Sequence, residues 1–95
     1  MTPPFSVRTT PAFERVLKKL LPKHPELPQA FRETLTILET DPYNHTRAHN
    51  IKKLVNVDQG DGQWGLRMGR WRFRYDIYGS LVLLVDSSLR REDTY

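Results

Sequence analysis

The feature that most constrains the fold of this 95-residue chain is a short turn between two segments of alternating residues. Residues 68–71 read Met-Gly-Arg-Trp and can form a two-residue β-hairpin loop, because Gly69 supplies the positive φ of a type II′ turn. A loop of this length fixes the strand register and places Arg67 directly opposite Arg72. The turn therefore predicts an antiparallel hairpin from about residue 63 to residue 78.

The alternation along this hairpin separates two faces with different chemistry. Directly opposed residues share a face, and neighbours along a strand alternate between faces. We expect the helices to cover an apolar, aromatic face formed by Trp64, Leu66, Met68, Trp71, Phe73 and Tyr75. The other face presents Arg67, Arg72 and Arg74, and Gly65 leaves an open notch beside Arg74.

The opposed arginines call for a negatively charged partner, because like charges directly across a ladder destabilise a sheet. One alternative is a solvated face on which nearby carboxylates neutralise the arginines, from Glu39, Asp41, Asp76 or Glu92. The other is a phosphate site, since planar guanidinium groups bind phosphate oxygens through paired hydrogen bonds. We favour the phosphate site, because an ordinary surface mixes the two charge signs more evenly.

The first half of the chain predicts a short strand and two helices. Residues 5–8 alternate apolar and polar side chains, and Thr10-Pro11 offers a hydroxyl N-cap followed by proline at the first helical position. The first helix therefore begins near residue 11. The second opens at Pro25 or Pro28 and ends before Asp41-Pro42. The short link between them predicts an antiparallel helical hairpin.

The second half of the chain predicts the sheet. We expect a loop over 42–50, a basic and apolar approach to the sheet over 51–57, a turn over 58–62, and strands at about 63–68, 71–78 and 80–86. Residues 81–85 are apolar on both faces, so this strand should lie inside the sheet. The resulting β-α-α-β-β-β order predicts a single α+β domain over 1–95, with the helical hairpin packed on one face of a small, mainly antiparallel sheet.

Composition narrows the partners and the compartment. The 15 Lys and Arg against 11 Asp and Glu give a net charge of +4, which favours a polyanionic partner. The chain has no Cys, so a reducing cytoplasm suits it, and no apolar run is long enough for a membrane. His24, His45 and His49 fall in predicted loops, so we expect neither a histidine nuclease nor a zinc pair at His45 and His49.

Three segments of the sequence, HNIKKL at 49–54, WGLRMGRWRFRY at 64–75 and RREDTY at 90–95, share a pattern with one known family. Together they resemble the RelE/ParE superfamily of toxins from type II toxin–antitoxin systems. Its members show a lysine-leucine approach, an arginine-bearing strand-turn-strand and a C-terminal arginine followed by a tyrosine. The resemblance covers nearly the whole chain and implies the RelE-like fold, with the arginine set favouring the mRNA interferase branch.

The resemblance implies a metal-independent endoribonuclease that needs no cofactor and cuts mRNA in the ribosomal A site. The catalytic positions that it implies are Arg67, Arg72, Arg91 and Tyr95. RNA-binding positions would be Lys52, Lys53, Arg74 and Arg90. The expected reaction is attack of the RNA 2′-hydroxyl on the adjacent phosphorus, with arginines stabilising the developing charge and Tyr95 transferring protons.

One departure from the family pattern concerns position 65. The best-known members place a further lysine two residues before the position of Arg67, where this chain has Gly65. That role is therefore vacant or passes to Arg74, Lys52 or Lys53.

The resemblance also implies the partners and leaves rival functions open. We expect a cognate acidic antitoxin that masks the arginine face in a hetero-oligomer, with mRNA and the ribosome as targets in the cytoplasm. The main rival is a ParE-like toxin that inhibits DNA gyrase by protein contact, which Gly65 favours slightly. A third reading is a non-catalytic RNA-binding module, for which Tyr78 would be the aromatic candidate on the arginine face.

Overall fold

The computed structural model describes residues 3–89, which form two helices and one five-stranded sheet. In chain order the elements are β1 (Ser6–Thr9), α1 (Pro11–Leu20), a 3-10 turn (Leu21–Lys23), α2 (Leu27–Thr40), β2 (Ile51–Lys53), β3 (Trp64–Met68), β4 (Trp71–Tyr78) and β5 (Leu81–Leu89). The strand order is β1-β5-β4-β3-β2. Strand β1 runs parallel to β5, and the other neighbours are antiparallel. The predicted α+β fold is confirmed.

The helices begin where the sequence places them. The Thr10 hydroxyl accepts a hydrogen bond from the Phe13 backbone N–H at 3.2 Å and donates to the Leu84 carbonyl at 3.1 Å. This cap therefore ties the start of α1 to β5. Helix α2 begins at Leu27, with a proline in its first turn, and ends at Thr40. No helix within residues 3–89 is long and apolar enough to cross a membrane.

The sheet extends further than the sequence predicted. Residues 51–53 form a paired edge strand instead of a mere approach, and β5 continues to Leu89, because the edge of β4 offers it partners as far as Trp71. A bulge in β5 between the pairs Arg74–Asp86 and Tyr75–Leu84 leaves Val85 without a partner. The predicted place of the last strand inside the sheet is confirmed.

The core lies between the helices and the aromatic face of the hairpin. Phe31 of α2 packs between Phe13 and Phe73, with ring centroids 5.7 and 6.5 Å away. The remaining buried apolar side chains are Leu27, Ala30, Leu38, Leu66, Trp71, Tyr75, Ile77, Val82 and Leu84. Trp64 corrects the predicted burial, because it is only half-buried and packs on Tyr43 of the loop after α2, at 5.4 Å.

Candidate functional site

The sheet surface opposite the helices, which we call the open face, carries the predicted arginine pair. Arg67 lies directly opposite Arg72, and Arg72 is in turn opposite Ser88. Their neighbours Leu66 and Phe73 are buried on the helix side, so the guanidinium groups point away from the core. Arg72 is exposed and Arg67 is half-buried. The register predicted from the turn is confirmed, and it starts both side chains from Cα atoms about 5 Å apart.

The hairpin turn has the conformation that fixes this register. Gly69 has a φ of 60°, and the next residue, Arg70, has no positive φ. A positive φ at the first central position alone is the pattern of a type II′ loop, whereas type I′ requires it at both. The sequence-level reading of the turn is therefore confirmed.

A second row of the open face lies beside the arginine pair. Lys52 of β2, Gly65 of β3, Arg74 of β4 and Asp86 of β5 are aligned across four strands. Lys52 is exposed, and Arg74 is half-buried. Two residues along a strand separate this row from the arginine pair, which is a distance of about 7 Å. The open face therefore concentrates four cationic side chains and one carboxylate, Asp86, in a small area.

Asp76 does not neutralise these arginines, which corrects one of the alternatives above. Its carboxylate is fully buried and accepts hydrogen bonds from the backbone N–H of Gly62 at 3.0 Å and of Gln63 at 2.9 Å. Arg74 donates from Nε and Nη2 to the Gly62 carbonyl, at 3.2 and 3.0 Å. These contacts fasten the turn before β3 across the end of the open face farthest from Gly69.

The other carboxylates of that alternative lie elsewhere. Within residues 3–89 the contacts between acidic and basic groups are His24–Glu26 at 3.5 Å and His49–Asp41 at 3.9 Å. Neither involves the open face, because Asp41 belongs to the loop after α2. Glu39 is part of α2 in the helical layer, and Glu92 lies outside the described residues. Among the described residues, Arg67 and Arg72 therefore have no carboxylate partner.

The structure separates the three residues that could fill the place of the family lysine. Lys52 lies directly across from Gly65 on the open face. Lys53 turns to the helix side, where its Nζ lies 5.6 Å from the centroid of the Trp64 ring. Arg74 is on the open face but uses two donors on Gly62. Geometry therefore favours Lys52, and Lys53 is not brought together with the arginines.

The loop between α2 and β2 is organised by Asp41. Its Oδ1 accepts from the His45 backbone N–H at 2.8 Å, and its Oδ2 accepts from the Thr46 hydroxyl at 2.6 Å and the Thr46 N–H at 3.2 Å. Burial raises the pKa of Asp41, but these hydrogen bonds and the nearby His49 outweigh it and hold the pKa below its usual value. Asp41 is thus a charged structural anchor on the helix side.

This loop also sets the position of β2. The Asn44 side chain donates to the His49 carbonyl at 2.9 Å and accepts from the His49 N–H at 3.1 Å. The Tyr75 hydroxyl donates to the Pro42 carbonyl at 2.7 Å, and burial together with Asp41 raises the pKa of Tyr75. The Asn50 carbonyl accepts from the Arg67 N–H at 2.9 Å. A continuous set of contacts therefore holds β2 against β3.

The predicted tail residues Arg90, Arg91 and Tyr95 lie outside the described residues. The last described residue, Leu89, is opposite Trp71, so β5 ends beside the hairpin turn. The catalytic role of Arg91 and Tyr95 and the RNA-binding role of Arg90 stay predictions. Tyr78, the aromatic candidate for a binding module, is on the open face but seven residues along β4 from the hairpin end at Trp71, and thus beyond the Asp76 contacts.

Two structural groups of the site were missed at the sequence level. One is the pair Asp76 and Arg74, whose side chains hydrogen-bond to the backbone of Gly62. The other is Asp41, whose carboxylate accepts hydrogen bonds from the loop after α2. The need for glycine at position 62 is visible only in the structure, where its φ is 84° and a Cβ would lie 2.8 Å from Val85 Cγ2. Asp41 gives a signal in the sequence, since an aspartate followed by proline at a helix end is a common loop anchor.

The fold defines the class of structure: it is the RelE-like α+β fold, as the sequence resemblance implied, and the solved structures that resemble it are RelE-family toxins. The chain is similar to the crystal structure of the toxin–antitoxin complex RelBE2 from Mycobacterium tuberculosis, with a TM-score of 0.69 and 26% identity over 92% of this chain and 99% of that chain. It is also similar in fold to YafQ from E. coli, with a TM-score of 0.67 and 12% identity over 90% of this chain and 92% of that chain. No protein-family model and no curated protein sequence matches the chain.

Proposed function

We propose that this chain is the toxin of a type II toxin–antitoxin system and that it inhibits translation by cleaving mRNA. One observation carries the proposal: Arg67 and Arg72 lie side by side on the open face, and no described carboxylate forms an ion pair with either of them. This arrangement is destabilising unless an anion binds there. Phosphate is the anion whose geometry suits paired guanidinium forks.

The proposed reaction uses the nucleophile that RNA itself carries. The 2′-oxygen forms a bond to the adjacent phosphorus and loses its proton, while the bond from phosphorus to the 5′-oxygen breaks and that oxygen gains a proton. The products are a 2′,3′-cyclic phosphate and a free 5′-hydroxyl. Arg67 and Arg72 would hold the non-bridging oxygens as charge develops on them, which is where fixed donors accelerate a reaction most.

The residues around the pair would assist in different ways. Lys52, exposed across from Gly65, would bind a neighbouring phosphate of the same strand. The predicted tail residues Arg91 and Tyr95 would supply the proton transfers. In this scheme Lys52 takes the place of the lysine that the family carries at the position of Gly65.

The antitoxin part of the proposal rests on similarity and on charge. The RelBE2 structure, to which this chain is similar over nearly its whole length, is a complex of a toxin with its antitoxin. The present chain has a net charge of +4 and an exposed cationic surface on the open face. An acidic antitoxin segment that folds across this face would cover the site and remove the charge repulsion.

A ParE-like inhibitor of DNA gyrase is the second candidate function. Gly65 favours it, since a toxin without nuclease activity has no need of the family lysine. Lys52 weakens this argument for the gyrase inhibitor, because it lies opposite Gly65 and supplies a positive charge in the same row of the open face. We therefore favour the nuclease.

Induced expression in cells separates the two functions. The nuclease should leave new mRNA 5′ ends inside reading frames, whereas a gyrase poison should cause double-strand DNA breaks.

Arg72→Ala should abolish growth arrest. The matched control is Arg8→Ala, because Arg8 is also exposed on the open face but lies on β1 at the far edge of the sheet. Double-strand breaks without new mRNA ends would overturn the nuclease proposal.

A further inference from the structure

Gly65 occupies a position that the protein's own structure does not require to be glycine. It is the second residue of β3, and its φ is not among the positive values found at Gly60, Gly62, Gly69 and Gly79. A Cβ built there meets no described atom within 4 Å. Glycine inside a strand weakens the strand and often marks a close approach by a ligand. A bound ligand that approaches the backbone closely would therefore explain glycine at this position.

The walls around Gly65 are cationic and differ in rigidity. Lys52 flanks it on β2 and Arg74 on β4, whose backbones are about 10 Å apart across β3. The Arg74 guanidinium is held by two hydrogen bonds to the Gly62 carbonyl, so the orientation of its plane is fixed. Lys52 is exposed, and no hydrogen bond or ion pair among the described residues holds its side chain. We call the space over Gly65, between these two side chains, the Gly65 notch.

We propose that the Gly65 notch is a subsite for one nucleobase of the RNA, next to the phosphate held by Arg67 and Arg72. The inference rests on the proposed nuclease function. A flat base can lie on bare backbone, where any side chain at position 65 would lift it away. Fixed guanidinium planes are common stacking partners for unpaired bases in RNA recognition. Lys52 would contact the phosphate of the same nucleotide.

The distance between the two parts of the site agrees with this assignment. Gly65 and Arg67 are two residues apart on β3, which is about 7 Å along the strand. A base in the notch would thus belong to a nucleotide that adjoins the cleaved phosphate. The notch would thereby contribute to the choice of the cleavage position, since one base is seated before the 2′-hydroxyl attacks.

The first test adds a side chain to the notch. Gly65→Ala and Gly65→Val should fold at least as stably as the parent, because no described atom obstructs a Cβ and β-branched residues favour strands. Cleavage of a synthetic mRNA on programmed ribosomes, measured without antitoxin, should nevertheless fall by about tenfold to a hundredfold in kcat/KM for Gly65→Val. Ser6→Val is the control, since it adds the same side chain to the open face on β1.

The second test identifies the occupant by removing one base at a time from the mRNA. At one position beside the cleaved bond, an abasic nucleotide should lower the cleavage rate of the parent. The same abasic substrate should not lower the cleavage rate of Gly65→Val any further, because the notch is already blocked in that variant. At all other positions the two losses should multiply, as expected for independent sites. Such a position would assign the notch to that base.

The outcomes distinguish this inference from the proposed function. If the parent cleaves mRNA and Gly65→Val cleaves it at the same rate, the notch binds no base and the inference is wrong, while the nuclease stands. If Gly65→Val is slower but no abasic position removes the difference, the occupant is not a base, which also overturns the inference. A parent without cleavage activity would contradict both proposals.

Discussion

Under the proposed function, the two opposed arginines give up some stability in exchange for a binding site. The two-residue turn fixes the strand register and thereby places Arg67 opposite Arg72. Neither arginine forms an ion pair with a carboxylate of the described residues. The buried side chains on the other side of the same strands, Leu66 and Phe73, supply the stability instead. Departures from the rules of stable packing are expected at functional sites.

The stability cost of the pair can be measured directly. Arg72→Ala should leave the free energy of unfolding within about 0.5 kcal/mol of the parent or raise it, because an exposed residue is removed and repulsion is relieved. Its neighbour Phe73 is fully buried, and Phe73→Ala should cost about 3–5 kcal/mol. Urea unfolding measures both. A loss of several kcal/mol for Arg72→Ala would show that Arg72 is a structural residue.

Two adjacent lysines provide a matched comparison on the two sides of the sheet. Lys52 is on the open face, and Lys53 faces the Trp64 ring. Lys52→Ala should weaken RNA binding and reduce the slope of log Kd against log salt by about one, which corresponds to one lost phosphate contact. Lys53→Ala should change neither the affinity nor the slope by much. Fluorescence titrations at several salt concentrations would measure this. Equal effects of the two variants would contradict the assignment of Lys52.

At the scale of elements, local signals were predictable and long-range contacts were not. The cap at Thr10, the prolines of α2 and the turn at Gly69 act within a few residues, and each was read correctly from the sequence. The pairing of β2 depends instead on the loop that Asp41 organises. The bulge at Val85 depends on how β5 meets β4, which no local pattern reveals.

The same distinction applies to the candidate site. The Arg67–Arg72 pair follows from one turn and was predicted, whereas the buried Asp76 grips backbone 13 and 14 residues away. A carboxylate on an apparently solvent-facing strand position looks like a surface group until the turn before β3 is known to cover it. Lys52 was named among three candidates, and only the register of β2 with β3 separated it from the others.

The loop anchor at Asp41 predicts a pH dependence of stability. Its folded pKa lies below the ordinary value of 3.8, so its contribution is present above that value and is lost as the pH falls through the folded pKa. Asp41→Asn should therefore be less stable than the parent at pH 7, by about 1–3 kcal/mol. This difference should shrink as the pH falls below about 3.8. Urea unfolding at several pH values tests it, and a difference independent of pH would refute the charged anchor.

At the scale of the whole molecule, the fold assigns its two surfaces to separate tasks. The helices cover one side of the sheet and supply the core, and the open face keeps its cationic side chains accessible next to the hairpin end. The turn before β3 closes the opposite end of that face through Gly62. A 95-residue chain can in this way combine a stable core with a surface of like-charged side chains.

The proposed antitoxin should bind chiefly through this charge. The acidic product of a neighbouring gene should protect the open face and should bind less tightly as salt concentration rises. Calorimetric titrations at two salt concentrations would show the effect, and Arg67→Ala combined with Arg72→Ala should reduce it. Tight binding that is insensitive to both salt and the double substitution would exclude an electrostatic mask of the arginine pair.

The central claim, that the arginine pair stabilises the transition state of RNA cleavage, is tested most directly by single-turnover cleavage of a synthetic mRNA on programmed ribosomes with purified protein. The parent and Arg8→Ala should give products with a 2′,3′-cyclic phosphate and a 5′-hydroxyl at similar rates. Arg72→Ala should be slower by on the order of a hundredfold or more, because a transition-state donor is lost. An Arg72→Ala protein that is folded and cleaves as fast as the parent would contradict the claim.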